Sequence, residues 1–323
     1  LTFDWYHKKT KDWLVQAPVL ASYGTAAPYI NGGDVVNKGV ELSLGWRDNI
    51  NDFNYSALIN LSHNKNEVTR IANTEKIIHS GVRLGNVASE FARAEEGYPI
   101  GYFYGYQTDG LFQTPEDVQN YKNSEGAVIM PNAVPGDVRF VDRNDDGIID
   151  DKDKTMIGKS NPDYNLGINL NMSYKGFDLT LVASGVFGND ILRAYRMPDS
   201  PSQNYTSEIL GRWTGPGTSN SIPRISSGNH INRSYISDLY LENGSYMRMS
   251  NVTLGYDFKK LWTSLPFEQV RFYISAQNLF TITGYSGMDP EIGTSTGENW
   301  ISGVDFGFYP TPRTFMVGAS IKF

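Results

Sequence analysis

The sequence contains no cysteine among its 323 residues, so it has neither a disulfide framework nor a thiolate nucleophile. No run of eighteen apolar residues occurs, and no transmembrane helix is predicted. The net charge of −7 offers no basic field for nucleic acid. The histidines are far apart without metal-ligand spacing, and P-loop and H-E-x-x-H motifs are missing. We therefore expect neither an enzyme nor a nucleic-acid-binding protein.

What the sequence does contain is a two-sided pattern, which is clearest in its last residues. Apolar side chains alternate with small or polar ones up to the terminal aromatic residue. The apolar positions are Phe315, Val317, Ala319, Ile321 and Phe323. This alternation over about ten residues is typical of a strand that crosses an outer membrane.

The same alternation recurs along the chain. It is found in residues 1–5, 40–47, 53–62, 164–174, 177–181, 252–258 and 270–277. Residues 164–174 carry a tyrosine at each end of the apolar face, as expected for the two aromatic girdles of a membrane barrel. The positions predicted to face lipid are Leu166, Ile168, Leu170, Val317, Ala319 and Ile321. Those predicted to face a wet lumen are Asn169, Asn171, Arg271 and Gln277.

Short and long connections alternate between these strands. Residues 48–52 and 175–176 read as tight turns, and the 259–269 connection is somewhat longer. The long segments are 9–38, 65–162, 188–244 and 281–312. Because outer-membrane barrels have short periplasmic turns and long extracellular loops, every long segment is assigned to the extracellular side. The predicted fold is an all-β transmembrane antiparallel barrel of about eight strands, with a further strand-like stretch at 98–106 inside the extracellular segment 65–162.

One acidic segment has the spacing of a calcium loop. Asp142, Asn144 and Asp146 supply oxygen atoms at loop positions 1, 3 and 5, and Gly147 occupies the sharp turn at position 6. The backbone carbonyl of Ile148 and the side chain of Asp153 complete the predicted ligand set at positions 7 and 12. We expect one Ca²⁺ with a structural role. The alternative is a solvated acidic turn, whose Asp and Asn residues favour turn conformations.

Aromatic residues are frequent in the long segments. Flat aromatic faces can stack on sugar rings or on peptide side chains, but for any single residue packing within the loops is the more common role. Trp13, Trp213 and Trp300 are the candidates for contact with a substrate or a lid protein.

A series of segments spans nearly the whole chain: 37–44, 61–68, 97–106 with 109–112, 136–142, 157–163, 174–178, 243–248, 276–280 and 309–315. In this order they resemble the C-terminal third of the SusC-like TonB-dependent transporters, the outer-membrane nutrient importers of Bacteroidetes. The acidic loop at 142–153 corresponds to the acidic loop of that family.

The resemblance implies that residues 1–323 are the final part of a 22-stranded barrel, preceded by an N-terminal plug and earlier strands. It also implies TonB-dependent import of oligosaccharides or peptides, with a SusD-like surface lipoprotein as a lid over the extracellular mouth. The partners implied are that lipoprotein, TonB through the N-terminal part, and outer-membrane lipid. A dimer of the transporter–lid pair is a further expectation.

An alternative from another class is a secreted, β-rich glycan-binding module with a dockerin-like calcium loop. The paired aromatic girdles and the aromatic C-terminus favour the transporter. The chain opens within a strand at Leu1, without an initiator methionine or signal peptide, and we therefore expect it to be part of a longer protein.

Overall fold

The computed structural model describes residues 1–16, 24, 29–81, 84, 90–195, 205–226, 230–293 and 298–323. Up to residue 158 the strands are β1 (Thr2–Gln16), β2 (Tyr29–Ile50), β3 (Phe53–Ile71), β4 (Ile77–His79), β5 (Ala92–Glu95), β6 (Tyr102–Gly105), β7 (Thr108–Leu111), β8 (Val138–Phe140) and β9 (Thr155–Gly158). The later strands are β10 (Tyr164–Tyr174), β11 (Phe177–Phe187), β12 (Asp190–Arg193), β13 (Leu241–Asn243), β14 (Tyr246–Asp257), β15 (Gln269–Thr283), β16 (Val304–Asp305) and β17 (Thr314–Lys322).

Helical structure is limited to short turns. The α-helices are α1 (Pro115–Asn120) and α2 (Ile231–Ser234), and 3₁₀ turns cover Asp151–Asp153, Ser207–Gly211, Asp238–Tyr240 and Phe258–Lys260. None of the helices in the described part of the chain has the length and hydrophobicity to cross a membrane.

The longest strands form one antiparallel sheet of eight strands, in the order β1-β2-β3-β10-β11-β14-β15-β17. Neighbours in the sheet are hydrogen-bonded to each other, and the order of the strands across the sheet is the same as their order along the chain. The sheet is open, with β1 and β17 at its two edges. The prediction of about eight antiparallel barrel strands is therefore confirmed.

One face of this sheet is apolar from edge to edge. The register aligns Leu44, Ile59 and Ile168 in one row, and Tyr174, Phe177, Tyr256 and Phe272 in another. Residues directly opposite one another in a ladder point to the same side, so these rows share one face. Side chains on this face are partly or fully exposed, as the lipid-facing surface of a transmembrane barrel requires: Leu44 is 44% accessible and Phe272 is 48% accessible.

The opposite face is polar and hydrogen-bonded across strands. Asn169 and Gln277 belong to one row of this face, and Asn171 lies in the next row, where its Oδ1 accepts a hydrogen bond from Thr180 Oγ1 at 3.0 Å. Arg271 donates from Nε to Asp178 Oδ1 at 2.8 Å. The four residues predicted to face the lumen thus share the face opposite the apolar rows.

The connections at one end of the sheet are short, as predicted. β2 and β3 are joined by Asn51-Asp52, and β10 and β11 by Lys175-Gly176. Asn51 and Lys175 adopt φ values of 53° and 46°, the left-handed conformation that two-residue hairpin turns require. The first turn is tighter than the 48–52 turn predicted from the sequence.

At the other end the sequence-based strand boundaries were wrong. Strands β1 to β3 extend well beyond the predicted membrane segments, so parts of residues 9–38 and 65–162 are strand. The long segments also contain regular structure. They form a four-stranded sheet (β4-β5-β6-β9), a three-stranded sheet (β13-β12-β16) and the hairpin of β7 and β8. The strand-like stretch at 98–106 is confirmed in part, as β6.

The hydrophobic core lies in this extracellular region. One cluster combines Phe91, Phe103, Leu192, Ile236 and Ile301, all nearly inaccessible to solvent. A second cluster is formed by Tyr106, Leu111, Phe112, Val118, Ile129, Met130, Val138 and Phe140. A third cluster, of Val35, Val68, Ile71 and Ala94, joins the extracellular ends of β2 and β3 to the region above them. The long segments therefore fold into a packed cap on the sheet.

Candidate calcium loop and extracellular surface

The acidic loop lies between β8 and β9 and is closed by its own backbone. Asp153, at its end, is fully buried. Its two carboxylate oxygens accept hydrogen bonds from Arg143 N and Asp150 N, each at 2.8 Å. Gly147 takes a φ of 83°, a conformation that favours glycine, at the predicted turn position.

The first three predicted ligands also lie together in the loop. Asp142 Oδ2 accepts from Gly147 N at 2.8 Å, and Asn144 Oδ1 accepts from Asp146 N at 3.1 Å. The hydrogen bond from Asn144 Nδ2 lowers the pKa of Asp146. The sequence prediction that these side chains converge on one loop is consistent with this geometry.

One oxygen in the loop has no donor. Asp142 Oδ1 is buried, and among the described residues no hydrogen-bond partner contacts it. A buried carboxylate oxygen without a donor costs free energy unless a cation or water satisfies it. Lys152 Nζ lies 3.3 Å from Asp146 Oδ2, so the acidic side chains of the loop already attract one cationic side chain. The residues present therefore fit a hard cation, the kind of ion that prefers oxygen ligands.

The loop does not, however, present a finished cation cage. Across the described ranges, no group of three or more His, Cys, Asp or Glu side chains is arranged to hold a metal ion. The Ile148 side chain is exposed, and its amide donates to Asp146 Oδ1 at 3.1 Å. Calcium binding by Asp142, Asn144, Asp146, Ile148 and Asp153 stays a prediction.

The three tryptophans singled out from the sequence are half-buried and packed. Trp13 and Trp300 contact each other edge to face, with ring centroids 6.5 Å apart, where β1 meets the extracellular region. Trp213 packs against the second core cluster and donates from Nε1 to Gln113 Oε1 at 3.2 Å. Gly136 has a φ of 87°, and a Cβ there would lie 2.5 Å from Trp213 Cε3. Contact of these tryptophans with substrate or lid is not tested by this packing.

A buried carboxylate that sequence reasoning missed organises the region around Trp213. Asp137 is 1% exposed, and its Oδ1 accepts from Arg224 Nε at 2.7 Å and from Asn232 Nδ2 at 2.9 Å. Its Oδ2 accepts from Val134 N at 2.9 Å. Asp137 thereby joins the strand β8 to two positions in the 205–240 segment. Nothing in the local sequence marks it, because its partners are 87 and 95 residues away.

Three apolar side chains are exposed in the segments that Asp137 joins. Leu210 is 78% accessible, and Ile225 and Val134 are also exposed. Ile225 follows the Arg224 that pairs with Asp137, and Val134 donates its amide to the same carboxylate. Single exposed apolar residues of this kind are ordinary on a protein surface.

The chain matches known proteins over its full length. The family model "TonB dependent receptor-like, beta-barrel" matches residues 1–187. TonB-dependent receptor P3 of Formosa agariphila is 31% identical over 331 residues, covering all of this chain and 32% of that protein. TonB-dependent receptor SusC of Bacteroides thetaiotaomicron is 29% identical over 330 residues, covering 99% of this chain and 30% of that protein.

A solved structure shares the fold. The RagAB peptide transporter superposes with a TM-score of 0.75 at 23% identity, covering 99% of this chain and 33% of the matched chain. The present chain therefore spans about a third of the length of the proteins it matches.

Proposed function

Because this chain belongs to the TonB-dependent receptor-like β-barrel family of the Gram-negative outer membrane, we propose that it is the C-terminal part of a TonB-dependent nutrient importer. The cargo would be oligosaccharides or peptides. The observation that carries the proposal is the eight-stranded sheet with a lipid-facing side, a polar side and a packed cap at one end. Family membership excludes the alternative of a secreted glycan-binding module.

The open sheet requires further strands in this proposal. Unpaired backbone groups at a sheet edge cost several kcal/mol each in lipid, so β1 and β17 would pair with earlier strands of a larger barrel. The polar face would then line a lumen holding an N-terminal plug, and TonB would act through that part of the protein. About two thirds of the length of the matched relatives is available for these elements.

Uptake by cells tests the proposal directly. A strain that lacks the full-length receptor is expected to lose growth on its native oligosaccharide or peptide nutrient. Reintroduction of the receptor restores growth only while TonB is functional. Testing oligosaccharides and peptides as separate sole nutrients identifies the cargo class. Undiminished growth of the deletion strain on every nutrient of both classes would contradict the importer.

A SusD-like lipoprotein lid is the proposed extracellular partner, in a complex that can itself dimerise. The docking surface would include Val134, Leu210 and Ile225, since these side chains are exposed on the cap. A specific protein–protein interface buries more than roughly 1,000 Å² of accessible surface in total. Because three side chains cannot supply this area, the proposed lid interface also includes the region of Trp13 and Trp300.

Negative charge introduced on this proposed docking surface tests lid binding. In the full-length receptor, Leu210→Glu combined with Ile225→Glu should reduce the amount of lipoprotein that co-purifies, because both carboxylates would be desolvated at the interface. Thr263→Glu adds charge at the opposite, periplasmic end and is the control. Equal recovery of the lipoprotein with all three receptors would place the lid elsewhere.

We also propose that the loop from Asp142 to Asp153 binds one Ca²⁺. The ion would satisfy Asp142 Oδ1, with Asn144, Asp146, the Ile148 carbonyl and Asp153 as the remaining protein ligands. Its role would be to fix the loop against the cap, because Tyr106 and Ser124 already contact the neighbouring Asp151 and Asp145.

Terbium luminescence of the full-length receptor tests this site, with Asp142→Asn as the ligand variant. Asp145→Asn is the matched control, because Asp145 Oδ1 accepts from Ser124 N and is outside the proposed ligand set. The signal should be lost in the first variant and retained in the second. Equal signals in both variants would contradict the proposed site.

A further inference from the structure

Three basic side chains lie in one row across β1, β2 and β3. The register pairs His7 with Lys38, and Lys38 with Lys65. Adjacent strands are about 4.8 Å apart, so the three Cα atoms fall within roughly 10 Å. All three residues are exposed.

This row points outward, to the lipid side of the sheet. The pairing is uninterrupted from Thr2 to Thr10 and from Val35 to Ile50, so the phase of the rows is preserved. The next row on the lipid-facing side, two residues closer to the membrane centre, contains Trp5, Val40, His63 and Tyr164. The row after that is Phe3, Leu42, Leu61 and Leu166, which belongs to the apolar face.

The row of His7, Lys38 and Lys65 therefore lies directly above the extracellular aromatic girdle. Trp5 and Tyr164 are exposed on the outer face, and the ring of Tyr164 packs on His63 with centroids 4.8 Å apart. Aromatic side chains at such positions mark the level of the lipid head groups. Two residues further along a strand corresponds to about 7 Å, which places the three basic groups at the outer edge of that level.

Of the two lysines in this row, Lys65 has a carboxylate nearby, whereas Lys38 has none among the described residues. On the outer face, Glu67 Oε2 lies 3.6 Å from Lys65 Nζ. Asp34 is already held by Lys9 at 3.2 Å and by Arg70 at 3.0 Å, and Arg70 also contacts Asp12 at 2.9 Å. Among the described residues no carboxylate lies within 4 Å of Lys38. The next row on the same face, two residues further from the membrane centre, contains Lys9, Val36 and Glu67. It adds no uncompensated negative charge.

We propose that His7, Lys38 and Lys65 bind the phosphate groups of an anionic glycolipid in the extracellular leaflet of the outer membrane. The occupant follows from continuity with the lipid-facing surface, from the level of the row and from its charge. The acyl chains would lie along Phe3, Leu42 and Leu61, and the ring of Trp5 would lie beside the sugar backbone. The ammonium groups of Lys38 and Lys65 would bind phosphate oxygens. This site differs from the proposed cargo and lid sites, and it depends only on the membrane location of the barrel.

Native mass spectrometry of the detergent-extracted full-length receptor tests the proposal. The receptor is delipidated and exposed to bis-phosphorylated lipid A, to its dephosphorylated form, or to inorganic phosphate alone. A basic residue near a charged membrane surface contributes about 1 kcal/mol, so Lys38→Gln with Lys65→Gln should weaken binding of the phosphorylated lipid roughly thirtyfold. His7→Gln should have a smaller effect.

Lys8→Gln is the matched control. Lys8 is next to His7 on β1 and carries the same charge as Lys38, but it belongs to the opposite face, in the row of Asn37 and Asn66. The expected result is retention of phosphorylated lipid by the wild type and by Lys8→Gln, with loss from the double variant. Equal binding of the phosphorylated and dephosphorylated lipids, or equal retention by the double variant, would overturn the proposal. Binding of inorganic phosphate as strong as that of the lipid would overturn the assignment to a lipid.

Discussion

The membrane sheet and the extracellular cap of this protein place their apolar residues in opposite ways. In the sheet, large apolar side chains such as Trp46 and Val317 are 64% and 83% accessible. In the cap, residues of similar size such as Phe112 and Phe140 have no accessible surface. The sheet is therefore stabilised by ladder hydrogen bonds and by lipid, whereas the cap depends on a hydrophobic core like that of a soluble protein. The same chemical change should have different consequences in the two regions.

The largest effect is expected in the core of the cap. Phe140 packs edge to face against Tyr106 and Tyr235, at centroid distances of 5.7 Å and 5.3 Å. Phe140→Ala should lower the free energy of unfolding of the cap by about 3–5 kcal/mol, because it leaves a cavity. Hydrogen exchange of the full-length receptor would show faster exchange in β7 and β8 and unchanged exchange in the membrane strands.

The control for that change is Tyr309→Ala, because Tyr309 is 91% accessible. It should leave exchange in the cap unaltered. Faster exchange of the membrane strands in Phe140→Ala would mean that the two regions do not unfold separately.

A charge in the sheet should be costly on one face only. Leu170 points to lipid near the middle of β10, and Leu170→Arg should cost about 2–4 kcal/mol of folding free energy in a bilayer. Asn169→Arg puts the same charge on the polar face one residue away and should cost much less. Urea titration of the full-length receptor in lipid vesicles measures both, and equal costs would contradict the assignment of faces.

An intermediate effect is expected where the cap buries a charge. Asp137→Ala leaves Arg224 and Asn232 without their acceptor and should destabilise the cap by roughly 1–3 kcal/mol. Asp109→Ala removes an exposed partner of Arg139 and should cost under about 1 kcal/mol. Limited proteolysis of the 205–226 segment in the full-length receptor would report the difference. Similar protection of this segment in both variants would show that Asp137 is not its anchor.

The smallest effect should depend on pH. Partial burial lowers the pKa of His79, but hydrogen bonds to Glu90 and Glu75 outweigh it and raise the pKa overall. The stabilisation is therefore present below the ordinary histidine pKa and is lost as pH rises through the folded-state pKa. His79→Gln should cost a few tenths of a kcal/mol at pH 5 and less at pH 8. Amide exchange of β4 at the two pH values measures it, and an equal cost at both would contradict the assigned charge.

The two regions also differ in how well the sequence predicts them. β10 was predicted with its observed ends, because lipid on one face and a wet lumen on the other impose an alternation that can be read locally. Packing within the long segments was expected, but the architecture of the cap was not predicted. Its second core cluster combines residues 106–140 with Trp213, Tyr235 and Leu239, and no local periodicity shows that these distant segments meet.

The candidate calcium loop is an intermediate case. Its turn at Gly147 and the convergence of Asp142, Asn144 and Asp146 follow from spacing within a few residues. The buried state of Asp153 depends on the surrounding cap and could not be predicted from that spacing. The extension of β1 to β3 beyond the membrane was missed because polar residues such as His63 and Lys65 replace apolar ones on the lipid-facing side of β3 there.

The long-range contacts of the cap have a consequence for the order in which the protein folds. Thr108 bonds to Asp238, which is 130 residues away, and Gly81 bonds to Glu298, which is 217 residues away. Each contact joins loops that emerge from different hairpins of the barrel. The cap can therefore be completed only after the last hairpin has crossed the membrane, and closing such long loops makes this step slow. An insertion intermediate that lacks β17 would expose the unfinished cap outside the cell, where proteases could recognise it.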